Sequence, residues 1–230
     1  MAHPDPGPYF AELARRLIAI EGVDDTMTAI VQAAVEVTGC DHASLSYLRG
    51  KRLVSASSND RIGPLLDAIQ TETQEGPCID AIRFGGVVVV DDLLSDVRFL
   101  EYGPKAEAAT GVRSSMATEL NDGRRAIGAL NLFADEVGWF VGELQQEALV
   151  AILAAHATPA LAAAIYRENM DVALRSRDLI GQAKGMLMAR SGIAEDDAFT
   201  LLVEASQRTN VKLVDVARRL VAGSLPTPDD

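Results

Sequence analysis

The chain is 230 residues long, 48% hydrophobic, and carries a formal net charge of −12. That length allows one large domain or two modest ones, each with its own core. Two cysteines, Cys40 and Cys78, are too few for a disulfide framework, and with His3, His42 and His156 they make no metal-ligand spacing.

No apolar run reaches the ~18 residues a membrane span needs. Residues 1–8 lack the basic start and apolar core of a secretory signal. A frayed leader over 1–8, a cytoplasmic location and no membrane partner are therefore expected. The negative charge is uneven. Residues 175–223 hold eight basic side chains (Arg175, Arg177, Lys184, Arg190, Arg208, Lys212, Arg218, Arg219) against six acidic ones (Asp178, Glu195, Asp196, Asp197, Glu204, Asp215), a net +2. The remainder carries 13 basic and 27 acidic residues. Affinity for phosphates follows local charge, and the acidic remainder repels nonspecific polyanion binding. The asymmetry also marks a domain boundary.

In chain order, residues 9–20 place Phe10, Leu13, Leu17 and Ile20 on one helical stripe. A second helix over 26–37 has Asp25 as its expected cap and Gly39 just past its end. Residues 42–48 and 52–57 read as strands around the turn Arg49-Gly50-Lys51. A helix follows, and then Val87-Val88-Val89-Val90, whose unbroken β-branched run predicts a central strand buried on both faces. After another helix, residues 114–120 and 126–134 flank Asn121-Asp122-Gly123-Arg124, a hairpin with an Asp-Gly turn. The order predicts an antiparallel sheet with helices on one face and loops on the other.

Within this region stand Glu75-Gly76-Pro77-Cys78-Ile79-Asp80-Ala81, then Val89-Val90-Asp91-Asp92-Leu93, Gly111-Val112-Arg113-Ser114-Ser115-Met116 and Ile127-Gly128-Ala129-Leu130-Asn131-Leu132-Phe133. The pattern resembles a GAF domain across most of residues 10–165, and a GAF-like sensor domain is assigned to 9–166. The resemblance implies a pocket between sheet and loops for a small-molecule ligand. Cys78, Asp80, Ser114 and Asn131 are the candidate pocket or redox residues. No cyclic-nucleotide motif and no axial ligand for haem is evident, so no cofactor is expected; His42 reads as a turn or core residue. Cys78 fits a small buried residue as readily as a redox centre. Asp80, Asp91 and Asp92 lack a partner base, which makes them cap or loop residues and not a catalytic pair. The two cysteines do not match the set used by GAF-type methionine sulfoxide reductases. No catalytic residue is assigned.

Residues 142–190 read as nearly one long helix, broken or kinked near Pro159. Its alanine-rich, imperfect heptads suit helix packing between two copies of the chain. The last part of this helix, over 171–190, carries Leu179, Ala183, Met186 and Leu187 on one stripe. Gly185 costs ~1 kcal/mol there, which close approach of a helix or RNA would offset. A helix over 195–208 opens on Glu195-Asp196-Asp197, a sequence that complements the positive helix N-terminus. Its spacing suggests that Phe199, Leu202, Val203 and Ser206 form a stripe with Phe199 buried. A third helix over 212–222 has Leu213, Val216, Ala217, Leu220 and Val221 at core spacing, and Gly223 ends it. Residues 224–230 are expected to form a flexible tail.

Arg177-Asp178-Leu179-Ile180-Gly181-Gln182-Ala183-Lys184-Gly185-Met186-Leu187-Met188, with Ala198-Phe199 and Lys212-Leu213-Val214-Asp215-Val216-Ala217, resembles the ANTAR domain of bacterial antiterminators. The fold class is thus α+β: a GAF-type antiparallel sheet with flanking helices, a helical connector and a three-helix ANTAR-like bundle over 167–223. The resemblance implies an antiterminator that binds paired RNA stem-loops through polar and basic side chains, and the connector heptads add the expectation of a homodimer. Candidate contacts are Arg177, Gln182, Lys184, Arg190, Arg208, Asn210, Lys212, Arg218 and Arg219. Two alternatives remain open. One is a DNA-binding three-helix regulator, disfavoured by the missing glycine between the last two helices. The other is a GAF-based ligand or redox sensor without direct RNA binding.

Overall fold

The computed structural model describes residues 6–49, 52–141 and 144–223. Residues 1–5 of the leader expected over 1–8, the tip of the first hairpin at 50–51 and the tail at 224–230 lie outside them. The chain divides into two compact units, residues 1–165 and 166–230.

The first unit runs α1 (Pro6–Ala19), α2 (Val23–Thr38), β1 (His42–Arg49), β2 (Arg52–Ser58), α3 (Ile62–Thr73), α4 (Pro77–Phe84), β3 (Val87–Val90), α5 (Tyr102–Thr110), β4 (Ser114–Asn121), β5 (Ala126–Ala134) and the start of α6 (Leu144–Ser191). Helix α1 already includes Pro6, so the leader is shorter than expected. Helix α2 begins after Gly22, and Asp25 sits in its first turn, not at its cap. There its charge still complements the helix dipole. Gly39 ends α2 at φ 66 and donates its N–H to the Val35 carbonyl; its missing Cβ makes this left-handed turn cheap.

The sheet order is β2-β1-β5-β4-β3, with every neighbouring pair antiparallel. Strand alternation gives it two inner faces. Ala43, Leu45, Met116, Leu130 and Leu132 pack with Leu13 and Leu17 of α1, Ile30 and Val37 of α2, and Val150, Leu153, Ala157 and Leu161 of α6. The opposite face presents Ala117, Ala129 and Phe133 to Leu66 of α3, Cys78 and Ala81 of α4, and Tyr102 and Ala106 of α5. Helices therefore cover both faces, which corrects the expectation of loops on one.

Two further expectations change. Strand β3 is an edge strand with only Val90 fully buried; its valines serve a half-covered margin. Where one helix was expected between β2 and β3 there are two. Gln74 at φ 58 and Gly76 at φ 134 break the chain between α3 and α4, and any Cβ at Gly76 would collide with the Gln70 side chain. The second hairpin has the expected turn: the Asp122 carboxylate accepts from the N–H groups of Arg124 (2.9 Å) and Arg125 (3.0 Å).

Helix α6 is continuous over 48 residues, with Pro159 inside it and not breaking it. It is also the one described helix long and apolar enough to cross a membrane by length and composition. The sequence expectation excluded such a segment because it counted uninterrupted apolar residues. In the fold, Val150, Leu153, Ala157 and Leu161 of this stretch are core residues of the first unit.

In the second unit, the end of α6 packs with α7 (Glu195–Thr209) and α8 (Leu213–Val221). Ala183, Leu202, Val216, Ala217 and Leu220 are its buried centre, with Leu179, Leu187 and Ala205 packed against them. On α7 the buried positions are Ala198 and Leu202, while Phe199 is 43% exposed. The expected stripe holds at Leu202, while Ala198 takes the buried place expected of Phe199. Among the described residues nothing lies within 4 Å of where a Cβ on Gly185 would stand.

Candidate nucleic-acid interface and sensor site

In the second unit, two clefts flank α6. A cleft of about 870 Å³ is lined by Arg177, Gly181, Gln182 and Lys184 of α6 and by Phe199 of α7. The seven-residue spacing of Arg177 and Lys184 puts both on that cleft, as their shared helix face requires. The Lys184 ammonium lies 6.0 Å from the centre of the Phe199 ring and pairs with Glu195. That ammonium holds the exposed Glu195 carboxyl below its usual range. Lys184 is therefore held over an exposed aromatic face.

The second cleft, about 430 Å³, is lined by Arg175, Ser176, Leu179 and Gln182 of α6 and by Val214 and Arg218 of α8. Arg218 also pairs with Asp215. Gln182 lines both clefts. Neither includes Arg190, Arg208, Asn210, Lys212 or Arg219, all of which are exposed. Asn210 and Lys212 shape the α7–α8 turn. Asn210 takes φ 51, and the Lys212 carbonyl accepts from Asp215 and Val216 N–H groups. Ser206 closes that turn by donating its hydroxyl to the Val211 carbonyl at 2.6 Å. The sequence reading missed Arg175, Ser176 and the exposure of Phe199. Arg175 was readable, being seven residues before Gln182.

In the first unit, the four candidate residues separate. Cys78 is buried in the first turn of α4, its N–H donating to the Gln70 carbonyl oxygen at 2.9 Å. Burial, and then the nearby Asp67 charge, push its thiol well up. Cys40 is buried too, and its thiol is pushed up to about 11, chiefly by desolvation. Both thiols are therefore far from the thiolate character redox chemistry uses. Asp80 is half-buried in the first turn of α4. Ser114 opens β4, opposite Ala134, and donates its hydroxyl to the Glu136 carbonyl at 2.6 Å.

Asn131 has a different setting. Its amide donates to Asp67 of α3 at 3.0 Å. Asp67, which the sequence reading did not single out, is 5% exposed. One of its oxygens accepts from Ser44 (3.1 Å) and Asn131; the other accepts from Ser46 (3.0 Å) and Ser55 (2.6 Å). Burial raises its pKa, and these four hydrogen bonds oppose the rise only in part. Tyr102 of α5, fully buried, has its phenol raised by burial and then by the Asp67 charge. The signal was legible: Asp67 follows Leu66 on the buried side of α3, with Gln70 one turn on.

His42 stands between carboxylates, Nδ1 at 2.5 Å from Asp60 and Nε2 at 3.3 Å from Asp135. Among the described residues no cluster of three potential metal ligands occurs. Asp92 is a turn and pairing residue, as expected: it accepts from Leu94 N–H and pairs with Arg113 at 3.0 Å.

The chain joins a helix-covered antiparallel sheet to a small three-helix unit. Residues 21–162 match the family model for the GAF domain, and residues 168–221 match that for the ANTAR domain. The chain belongs to the GAF domain family, and its GAF domain is followed by an ANTAR domain. No curated protein matches it. Among solved structures, it is similar to the GAF domain of an Acinetobacter phosphoenolpyruvate-protein phosphotransferase (14% identity, TM-score 0.56, 74% of this chain and 99% of that one). It is similar to the free methionine-R-sulfoxide reductase of Neisseria meningitidis in complex with its substrate (16%, 0.54, 72% and 95%). SdiA in complex with octanoyl-rac-glycerol is similar over 97% of both chains (17%, 0.54). At these identities the likeness is one of fold.

Proposed function

We propose that the protein is a transcription antitermination regulator. Its GAF unit, residues 9–166, senses a small molecule, and its ANTAR unit, residues 167–223, binds paired RNA stem-loops. The tandem of a GAF and an ANTAR match in one chain carries this reading. The two clefts beside α6 support it, because they gather Arg177, Gln182, Lys184 and Arg218 on an open surface. Cations there would hold phosphates while Gln182 and the Phe199 face meet loop bases. Arg190, Arg208, Asn210, Lys212 and Arg219 would extend the contact. Binding stabilises one RNA fold against a competing terminator by its differential affinity. The site of action is the cytoplasm. A homodimer would present two modules at once; exposed Tyr166, Met170, Val172 and Leu174 on α6 suit such an association.

The test is salt-dependent binding to a paired stem-loop RNA, a loop-scrambled RNA and a matched DNA duplex. The intact RNA should bind most tightly. A double Arg177→Ala, Lys184→Ala variant should bind more weakly, with the salt slope reduced by about 2. Equal binding to all three nucleic acids would sink the reading.

A second reading, a duplex-DNA regulator, gains one observation. Asn210 adopts the left-handed conformation a glycine would supply, so the turn between α7 and α8 is short after all. Preference for the DNA duplex in the same experiment would select it.

A further inference from the structure

The interior face of the first unit holds a buried carboxyl without a countercharge. Asp67 accepts four hydrogen bonds from neutral groups, and among the described residues it forms no ion pair. Its other electrostatic neighbours, Cys78 and Tyr102, are acids and not cations. Serine hydroxyls can solvate a carboxylate but cannot neutralise it, and a buried charge is stable only when paired or well solvated.

Three buried polar atoms of this face have no partner among the described residues: Gln70 Nε2, Tyr102 Oη and Asn131 Oδ1. The three residues are 1%, 0% and 1% exposed. Their hydrogen-bonding sense is fixed by what they already do. The Gln70 oxygen accepts from Cys78 N–H, so its free atom is the amide nitrogen, a donor. The Asn131 nitrogen donates to Asp67, so its free atom is the oxygen, an acceptor. Tyr102 can serve either way. A buried polar atom left unpaired loses the hydration it had in water, so each of the three favours a partner.

We propose that this interior between β1, β5, α3, α4 and α5 binds a small primary ammonium compound bearing a hydrogen-bond acceptor a few bonds from its nitrogen. This rests on the reading of the GAF unit as a sensor and names its ligand class. The ammonium donates to Asp67 and to Asn131 Oδ1. The acceptor takes the proton of Gln70 Nε2, and Tyr102 Oη completes the shell. Anions are excluded by Asp67, and a neutral polyol leaves its charge unmatched. Gln70 also touches the Gly76–Cys78 turn. A ligand that holds the Gln70 amide therefore acts directly on the α3–α4 junction.

The full-length protein is titrated with glycinamide and 3-amino-1-propanol, and with their uncharged counterparts glycolamide and 1,3-propanediol. Calorimetry and the thermal midpoint are read. The amines are expected to bind saturably and raise the midpoint, and the neutral counterparts to do neither. Asp67→Asn should weaken amine binding at least about tenfold. Gln70→Met, which keeps the volume, should weaken glycinamide binding by about threefold or more; it decides the matter if Asp67→Asn does not fold. No saturable response to either amine, or equal responses to the neutral compounds, overturns the proposal and leaves the cluster as a water-solvated core carboxylate. Stem-loop RNA affinity is measured alongside. Amine binding that leaves it unchanged upholds the ligand class and sinks the coupling of sensor to RNA. Intact RNA binding with no amine response sinks the ligand class alone.

Discussion

In the first unit a carboxylate sits 5% exposed under four hydrogen-bond donors, while Arg177, Arg190 and Arg218 of the second unit stand in solvent. The difference follows from the size of the cores. The sheet of the first unit is covered on both faces, and its two large clusters can absorb a few unsatisfied polar atoms. The second unit rests on Ala183, Leu202, Val216, Ala217 and Leu220, a core too thin to carry any. Buried polar chemistry therefore belongs to the unit with apolar surface to spare, and exposed chemistry to the one without.

Substitutions can break this contrast. The largest effect should come from Leu202→Ala, which removes the central contact of the small core and costs ~3 kcal/mol. Two thermal transitions should then separate, the helical one moving far below that of the sheet unit; a single unchanged transition would show that the small core does not stand by itself. The next effect is a titration. Because the folded Asp67 carboxyl is raised, its contribution to stability is complete below the ordinary carboxylate range and is lost as pH rises through the folded value. Urea unfolding of wild type and Asp67→Asn at several pH values should show the wild type losing ground from about pH 4 upward. A gap that widens in favour of the wild type would mean that the serine ring overcompensates burial. Asn210→Ala, which forces a Cβ into the left-handed region without the asparagine side chain, should cost about 1 kcal/mol in the second unit only. The smallest change is a gain. Gly185→Ala should stabilise α6 by roughly 0.8 kcal/mol, since open space surrounds that position. If it stabilises the protein and weakens RNA binding, the space belongs to the ligand.

Much of this was legible locally. Both hairpins, the glycine stop of α2 and the bounds of α7 and α8 follow from turn chemistry and apolar spacing. What escaped was set by partners distant in sequence. Four consecutive valines read as a buried strand, but β3 lies at the margin because β5 pairs with both β1 and β4. Phe199 and Ala198 are adjacent, and the bundle buries the smaller one. Of the sensor candidates, Cys78 and Asn131 meet around Asp67, while Ser114 is claimed by the Glu136 carbonyl. The burial of Asp67 could be read from its place beside Leu66 on α3, but its partners Ser44, Ser46 and Ser55 come from two strands distant in sequence.

The exposed margin of β3 has a consequence for handling the protein. Four valines on an open strand offer a template on which a second chain can add, the usual start of aggregation. The chain blunts it with one side chain. Arg98, paired with Asp96, donates to the Val89 carbonyl at 2.6 Å and sets a bulky cation across the strand's free side. A guanidinium outside the regular elements, in the loop before α5, thus guards the open margin of the sheet against self-association.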